Sequence, residues 1–475
     1  MGQMTASIRQ HTIAVIGAGF TGTLFALKIL RARPDWAVLL IEDRVHAGRG
    51  IAYGACEAQH LLNVPVGRME VGLEPGFSAW LRVRPGLLGE ALAESKGRLE
   101  DAFVPRHLFG DYMEQRLSDA LLSSDGQRLR RIHSRVVRIE DNPRYVVTGD
   151  GKTYPVDSVV LATGNLPSRL PFPAPASNRI IHDPWRPNAL AGIGSDASVL
   201  LIGTGLTMVD TLLSLGERGH AGPIHAVSRH GLLPRAHRAG GHWPAFLDAS
   251  LSPKDALRLF RMNIAQAEQR GIPWQRVFDA ARPVVASLWH RWTIGQRAQF
   301  LRHLRSIWDI HRHRMADRIA ALVNELLWNG RLTITAGRVL ATDEHKDGVT
   351  AVIRPRSEKA LTVDVDAIVN CTGPDLDIRH SDNPLLANIL RRGFVRSDPL
   401  GLGIETQNGA AVEAQGTTSD WLFVLGPPSR PAWWEITAVP EVSAQIDRLV
   451  DRLSAANTEA FRPLPAIFLD IGAGI

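Results

Sequence analysis

Thr12-Ile13-Ala14-Val15-Ile16, followed by Gly17-Ala18-Gly19-Phe20-Thr21-Gly22, is the stretch on which the reading of this chain turns. The first five residues form an apolar run of the kind that suits a strand buried on both faces. Gly17, Gly19 and Gly22 keep the GxGxxG spacing, and Thr23 to Arg31 carries a helical, amphipathic pattern. A second strand, Ala37 to Ile41, completes a βαβ unit, and Glu42 closes it 20 positions after Gly22. A glycine loop between strand and helix lets backbone N–H groups approach a pyrophosphate, and the acid accepts hydrogen bonds from ribose hydroxyls. These four residues are expected dinucleotide contacts.

The same layout returns further along. Ser198 to Ile202 reads as a strand, Gly203-Thr204-Gly205 as its loop, Leu206 to Glu217 as a helix and Ile224 to Val227 as a second strand. Twenty-five positions separate Gly17 from Glu42, and 25 separate Gly203 from Ser228. Met208 replaces the third glycine, which predicts a helix held slightly off its strand. Ser228 replaces the acid, and Arg229 and His230 follow. An acid there repels a 2′-phosphate, whereas Ser228 and Arg229 bond to one and neutralise it. The other reading of Arg229 is an ordinary solvent-facing arginine. The intact acid-bearing loop suggests FAD and the second loop NADPH. Each copy ends in a meander, Arg131 to Tyr154 and Arg331 to Val365, then a buried strand and turn, Ser158 to Gly164 and Asp366 to Gly373.

These units divide the 475 residues into an expected FAD-binding domain at 1–170, an NADPH-binding domain at 171–374, and a return to the first domain at 375–475. A Pro-rich stretch, Leu166 to Pro175, marks the crossing. Inside the second unit, residues 236–330 read as a helical insertion holding six of the twelve tryptophans, expected in the core. Residues 289–318 suggest an amphipathic helix with a basic face, carrying Arg291, Arg297, Arg302, Arg305, Arg312, Arg314 and Arg318 against Asp309 and Asp317. That face lines a channel for NADPH or an anionic substrate, or is a solvated surface.

Composition narrows the function classes. No apolar run approaches the ~18 residues of a membrane span, and Met1 to Gln10 lacks the pattern of a secretory leader, so a cytoplasmic protein is expected. Cys56 and Cys371 are 315 positions apart, which excludes a CxxC dithiol and a multi-cysteine zinc site. His311 and His313 point to different sides of a helix, so no metal is expected. The net charge of +6, from 54 basic and 48 acidic residues, suits anionic cofactors and does not require nucleic acid.

The chain resembles the two-dinucleotide-binding flavoproteins that include flavin-containing monooxygenases and the ornithine and lysine N-hydroxylases, and within them a bacterial branch of FAD/NAD(P)-binding proteins. The likeness covers nearly the whole chain. It rests on Val15 to Gly19, Gly48-Arg49-Gly50-Ile51-Ala52-Tyr53, His60-Leu61-Leu62-Asn63-Val64-Pro65 with Arg68-Met69, and Arg106 with Gly110 and Tyr112. It also rests on Leu161-Ala162-Thr163-Gly164, Ala226 to Arg229, and Trp433 to Glu441.

The resemblance implies an α/β fold of two Rossmann-like dinucleotide-binding domains in a glutathione-reductase-like arrangement. It further implies that Gly48, Arg49, Asn63, Met69, Thr163 and Gly164 contact the flavin cofactor. Arg106 becomes a flavin-edge or pyrophosphate contact, or else forms a surface salt bridge. Gly426 and Thr437 to Val439 become the loop and helix start at the flavin's pyrimidine edge. Asn63 is the implied catalytic residue, with a turn-capping asparagine as the alternative.

The activity so implied is NADPH-dependent oxygenation of a heteroatom, with nitrogen foremost, through a flavin C4a-hydroperoxide. The partners are O2 and a small, amino-acid-like substrate. Phe172 is followed by His182 and Trp185 at spacings unlike the Baeyer-Villiger fingerprint, so ketone oxygenation is unsupported. A flavin reductase or oxidase without oxygen insertion, and a nucleotide-binding sensor or scaffold, remain open, as does oligomeric state.

Overall fold

The computed structural model describes residues 10–124, 126–356 and 359–455; the first nine residues and the end of the expected C-terminal domain lie outside it. Two seven-stranded sheets organise the chain. In the first, the order is Thr406–Gln407, Ala410–Val412, Thr418–Val424, Ser158–Leu161, Thr12–Ile16, Ala37–Glu42 and Leu129–His133. Its last five strands run parallel. Strand alternation divides the side chains between two cores. Ile13, Val15, Val38, Leu40 and Val160 pack under the helices Phe20–Ala32, Arg106–Ser123 and Val439–Ala455. Ala14, Ile16, Leu39, Ile41, Val159 and Leu161 pack on the other face, against the meander Val136–Pro155 and the helix Pro384–Arg391. The 418–424 strand and the 439–455 helix thus return the end of the chain to the first sheet.

The second sheet repeats this build. Its order is Leu361–Val365, Gly348–Pro355, Leu332–His345, Ile224–Ser228, Val199–Ile202, Ala367–Asn370 and Ile180–Ile181. Helices Leu206–Glu217 and Asp317–Trp328 cover one face, and the meander residues Val349, Ala351 and Ile353 cover the other. Burial of these apolar side chains, each contributing about 1.5–3 kcal/mol, fixes the layers.

Two expectations about the insertion are corrected. Ile319, Ala320 and Val323 lie in the core of the second sheet, so the 317–328 helix is the layer helix leading into the 332 strand, and the inserted material stops near Ala316. The stretch 289–318 is likewise no single helix. It contains the end of Trp274–Arg291, then Ile294–His303, Arg305–Arg312 and the start of 317–328. The break after Arg291 is set by Thr293, whose side chain caps the new helix in a capping box with Gln296. Trp243 and Trp289 are buried as expected, whereas Trp328 is 91% exposed. Trp289 and Phe300 pack on Leu402 and Trp434, joining the insertion to the returning C-terminal segment.

Candidate functional site

The first glycine loop is shaped by what glycine alone allows. Gly17 has φ +100, and a Cβ there would overlap the Ala162 carbonyl. A Cβ on Gly22 would overlap the Gly17 carbonyl, so the helix sits directly on the loop. Gly19 caps the helix without any side-chain hydrogen bond and with no acid in the first turn, leaving the first N–H groups for an anion. Glu42 lies over the loop: its Oε2 accepts from the Ala18 N–H at 3.0 Å, and burial raises its pKa.

Further segments close around this end. Gly48, at φ +94, would meet the Glu114 backbone at 2.8 Å through a Cβ, and its N–H donates to the Ala18 carbonyl. A Cβ on Gly19 would stand 3.2 Å from the Gly50 Cα. Thr163 follows the 158–161 strand, with its Oγ1 sealed from solvent and without a partner; Gly164 follows at φ +71. Gly426, at φ +72, would touch Thr21 Oγ1 at 3.1 Å through a Cβ. Its N–H donates to Gln445 Oε1, and its carbonyl accepts from Ser429 Oγ. Close backbone approaches, free helix N–H groups and an orphaned hydroxyl fit a dinucleotide. Thr21, Ser429 and Gln445 hold the far wall and carry no sequence signal, because each is unremarkable until the chain returns.

Several expected cofactor contacts have protein partners or lie in the core. Arg49 pairs with Asp111 at 2.7 Å and with Glu114 at 2.5 Å, which ties it to the 106–123 helix. Met69 is 1% exposed and Val439 3% exposed, both in the first core, so any contact there falls to backbone. Thr437 is exposed. Arg106 does not form a surface pair. Its guanidinium meets Asp210 at 3.1 and 3.3 Å and the Leu61 carbonyl at 3.3 Å, bridging the two units internally. The neighbouring His60 Nε2 lies 3.0 Å from Ser214 Oγ. A cleft of about 210 Å³ opens beside this bridge, lined by Cys56, His60, Trp185 and Asp210 among others.

In the second loop Gly203 repeats Gly17: φ is +112 and a Cβ would overlap the Cys371 carbonyl. Gly205 again caps its helix with no side chain and no first-turn acid. Nothing lies within 4 Å of a Cβ on Gly205, and Met208 is fully buried where the third glycine would stand. Ser228 has protein partners. Its hydroxyl contacts Thr204 Oγ1 at 2.8 Å and accepts from the Gly231 N–H at 3.0 Å, so it closes the turn. Burial and the nearby Arg305 and Arg338 lower the pKa of Arg229. Burial, Arg229, Arg356 and Arg338 likewise lower His230. Among the described residues no carboxylate pairs with Arg229, Arg338 or Arg356. Arg338 also stands opposite Arg354 in the sheet, a like-charge pairing that an anion relieves. Sequence spacing pointed to Arg229 alone, since Arg338 and Arg356 come from the meander.

Asn63 lies at the seam with the insertion. Its carbonyl accepts from His237 Nε2 at 3.0 Å, and burial lowers the His237 pKa to about 4. Most of the arginines at 289–318 are not an open basic face. Arg312 pairs with Glu435 at 2.7 Å and Glu441 at 3.0 Å, Arg314 with Asp279, and Arg318 with Glu90 and Glu94. His311 bonds the Ile307 carbonyl and stacks on Phe278.

The paired sheets and glycine loops define a chain with two dinucleotide-type α/β units joined by a buried bridge. A family model described as FAD-NAD(P)-binding matches residues 14–166. An uncharacterized protein of Mycobacterium tuberculosis is 22% identical over 405 residues, covering 75% of this chain and 74% of its own. Three solved structures share the fold over nearly the whole chain. DfoA of Erwinia amylovora, a cadaverine monooxygenase bound to FAD, has a TM-score of 0.65 at 13% identity, covering 98% of this chain and 99% of its own. Ornithine hydroxylase of Pseudomonas aeruginosa scores 0.63 at 14% (94% and 100% covered). L-lysine 6-monooxygenase of Pseudomonas syringae scores 0.63 at 18% (94% and 99%). Among the described residues no helix is long and apolar enough to cross a membrane.

Proposed function

We propose that this protein is an FAD-dependent, NADPH-using monooxygenase that oxygenates nitrogen in a small amine or amino acid. The observation that carries the reading is the division of labour between two glycine loops in one chain. The first is built for close contact and has an acid at the ribose position; the second has a cluster of unpaired arginines there. Whole-chain likeness to N-hydroxylases adds the reaction class. Need for NADPH and FAD supports a cytoplasmic protein acting on a small molecule and O2.

Bound FAD supplies acceptance of hydride from NADPH and activation of O2. The chain's part is to bind, orient and exclude water. The Phe20–Ala32 helix N-terminus, Gly17, Gly19 and Gly22 hold the FAD pyrophosphate, and Glu42 turns to the ribose. Thr163 Oγ1, buried without a partner, would donate to the bound cofactor. The Leu206–Glu217 helix holds the NADPH pyrophosphate, and Arg229 with Arg338 and Arg356 holds the 2′-phosphate. Asn63 orients the reacting groups at the seam between the units, with His237 fixing its backbone. The domain division at residues 170 and 374 follows from the same assignment.

Cys56 and Cys371 do not serve a dithiol path. Burial raises their pKa values to about 11 and about 12, which keeps both as thiols at neutral pH. The test is NADPH consumption by FAD-loaded protein with amines and amino acids, following hydroxylated product by mass and released hydrogen peroxide. Product matching NADPH consumed is expected. Peroxide in its place, with no substrate oxygenated, makes the protein an oxidase or reductase.

A further inference from the structure

The segment after the Gly426 turn holds a feature that neither glycine loop uses. Trp434 sits at φ +51, a backbone that bulky residues keep only where their surroundings demand it. Its indole is 1% exposed, stacked on Trp289 with ring centres 4.8 Å apart, and met edge-on by Phe300. The Trp434 Nε1–H is sealed from solvent and has no acceptor. Arg430 lies over the same ring, 4.6 Å from its centre, and its Nε is also sealed without an acceptor. Arg305 approaches that ring at 5.9 Å.

Each nearby carboxylate has an arginine partner, and Asp309 Oδ1 and Glu441 Oε2 are sealed without a hydrogen-bond donor. Asp309 pairs with Arg305 at 3.4 Å, Glu435 with Arg312 at 2.7 Å, and Glu441 with Arg282 at 2.7 Å. Glu435 also accepts from the Trp308 indole at 2.6 Å. Four arginines thus face three acids, and the one of the four without an ion pair among the described residues is Arg430, on whose charge Asp309 and Glu435 act only at longer range. Burial pulls its guanidinium down to about 10, which still leaves it charged at neutral pH. Buried donors nearly always have acceptors, and an uncompensated buried cation is costly. Two adjacent orphaned donors with an excess positive charge describe a seat for an anionic acceptor.

The anionic groups of the cofactors have places of their own under the proposed reading: pyrophosphates at Gly17–Gly22 and Gly203–Gly205, and the 2′-phosphate at Arg229. We propose that Arg430 and the Trp434 indole N–H, flanked by Arg305, form a specificity site for a carboxylate of the substrate. Identifying the carrier as substrate rests on the proposed enzymatic function, whereas the anion seat depends only on these side chains. A guanidinium and an indole N–H together offer the two oxygens of a carboxylate separate donors.

The experiment titrates FAD-loaded protein with matched probes, L-lysine against cadaverine and benzoate against benzamide, following tryptophan fluorescence. The carboxylate of at least one pair should change the emission saturably, and its uncharged or decarboxylated partner should not. Arg430→Gln should weaken that response by about tenfold or more, and Arg430→Lys, which keeps the charge but loses the fork, by a few fold. Thermal melts check that both variants fold, and Arg430→Lys carries the test if Arg430→Gln does not. Equal responses within every pair, no response to any carboxylate, or unchanged affinity in a folded variant overturns the proposal. So does loss of FAD content or NADP⁺ affinity in Arg430→Gln with the carboxylate response intact, because the anion then belongs to a cofactor. Saturable carboxylate binding without oxygenated product would sink the oxygenase reading and leave the seat standing.

Discussion

The loop at Gly17 and the loop at Gly203 have the same backbone and different chemistry. Both take positive φ at the first glycine, and in both a Cβ would strike the carbonyl that follows a neighbouring parallel strand, Ala162 or Cys371. Both leave a helix N-terminus uncapped by any side chain. They part at the third glycine and at the strand end. Gly22 lets the first helix rest on its loop, whereas Met208 fills the second core. Glu42 covers the first loop, while Arg229 stands with Arg338 and Arg356 beyond the second. The backbone requirement of a pyrophosphate is thus kept twice, and the two loops differ in the side chains at the strand end, where the proposed function puts nucleotide choice.

The largest test breaks the backbone on either side. Gly17→Ala should cost roughly 3 kcal/mol or more through strain and overlap, and FAD should be lost, as read by flavin content and melting temperature. Gly203→Ala should meet the same strain, yet retain FAD and lose NADPH-driven reduction; loss of FAD in both variants would erase the distinction between the loops.

Next comes the link between the units. Asp210→Ala strands the buried Arg106 and should cost about 3–5 kcal/mol, whereas Arg106→Met with Asp210→Asn should recover most of the loss. Urea unfolding of the single and double variants measures this, and additive losses would mean the pair is not coupled. A smaller effect sharpens the choice of nucleotide. Arg229→Ala should raise KM for NADPH by about tenfold, and Arg338→Ala by less, with NADH little changed.

A separate effect is one of pH at the Asn63 seam. His237 has a folded pKa near 4 against an unfolded value of 6.5, so between these values the unfolded chain binds more protons. The stability from neutral His237 is complete above pH 6.5 and drains away as pH falls toward 4. His237→Gln should flatten the decline of urea midpoint across that window. An identical decline in variant and parent would place the acid sensitivity elsewhere.

Features set by local backbone demands were legible in the sequence. The strand starting at Thr12, the glycine turns, the 206–217 helix and the alternating meanders follow from short-range pattern. Contacts set by chain return were not. Arg106 lies 104 positions from Asp210, and Trp308 lies 127 from Glu435, so neither spacing nor composition marks them as partners. Met69 and Val439 resembled cofactor contacts by position in a motif, but their apolar side chains went to the core, as burial favours. The insertion's end is not marked in the sequence because the 317–328 helix continues the helical pattern of those before it. Only the 332 strand reveals which helix belongs to the sheet. Arg430 gave no signal and Trp434 only a place in the Trp433 to Glu441 likeness, because what marks them is a missing partner, visible only after every neighbour is placed.

The central claim is that electrons enter from NADPH at the Gly203 loop and reach FAD at the Gly17 loop. Anaerobic mixing of the purified, FAD-loaded protein with NADPH or NADH, followed by flavin absorbance, tests it most directly. NADPH should bleach the flavin at least about tenfold faster than NADH at limiting nucleotide, and Arg229→Ala should abolish the preference. Equal bleaching by both nucleotides, or a flavin that neither reduces, would contradict the account.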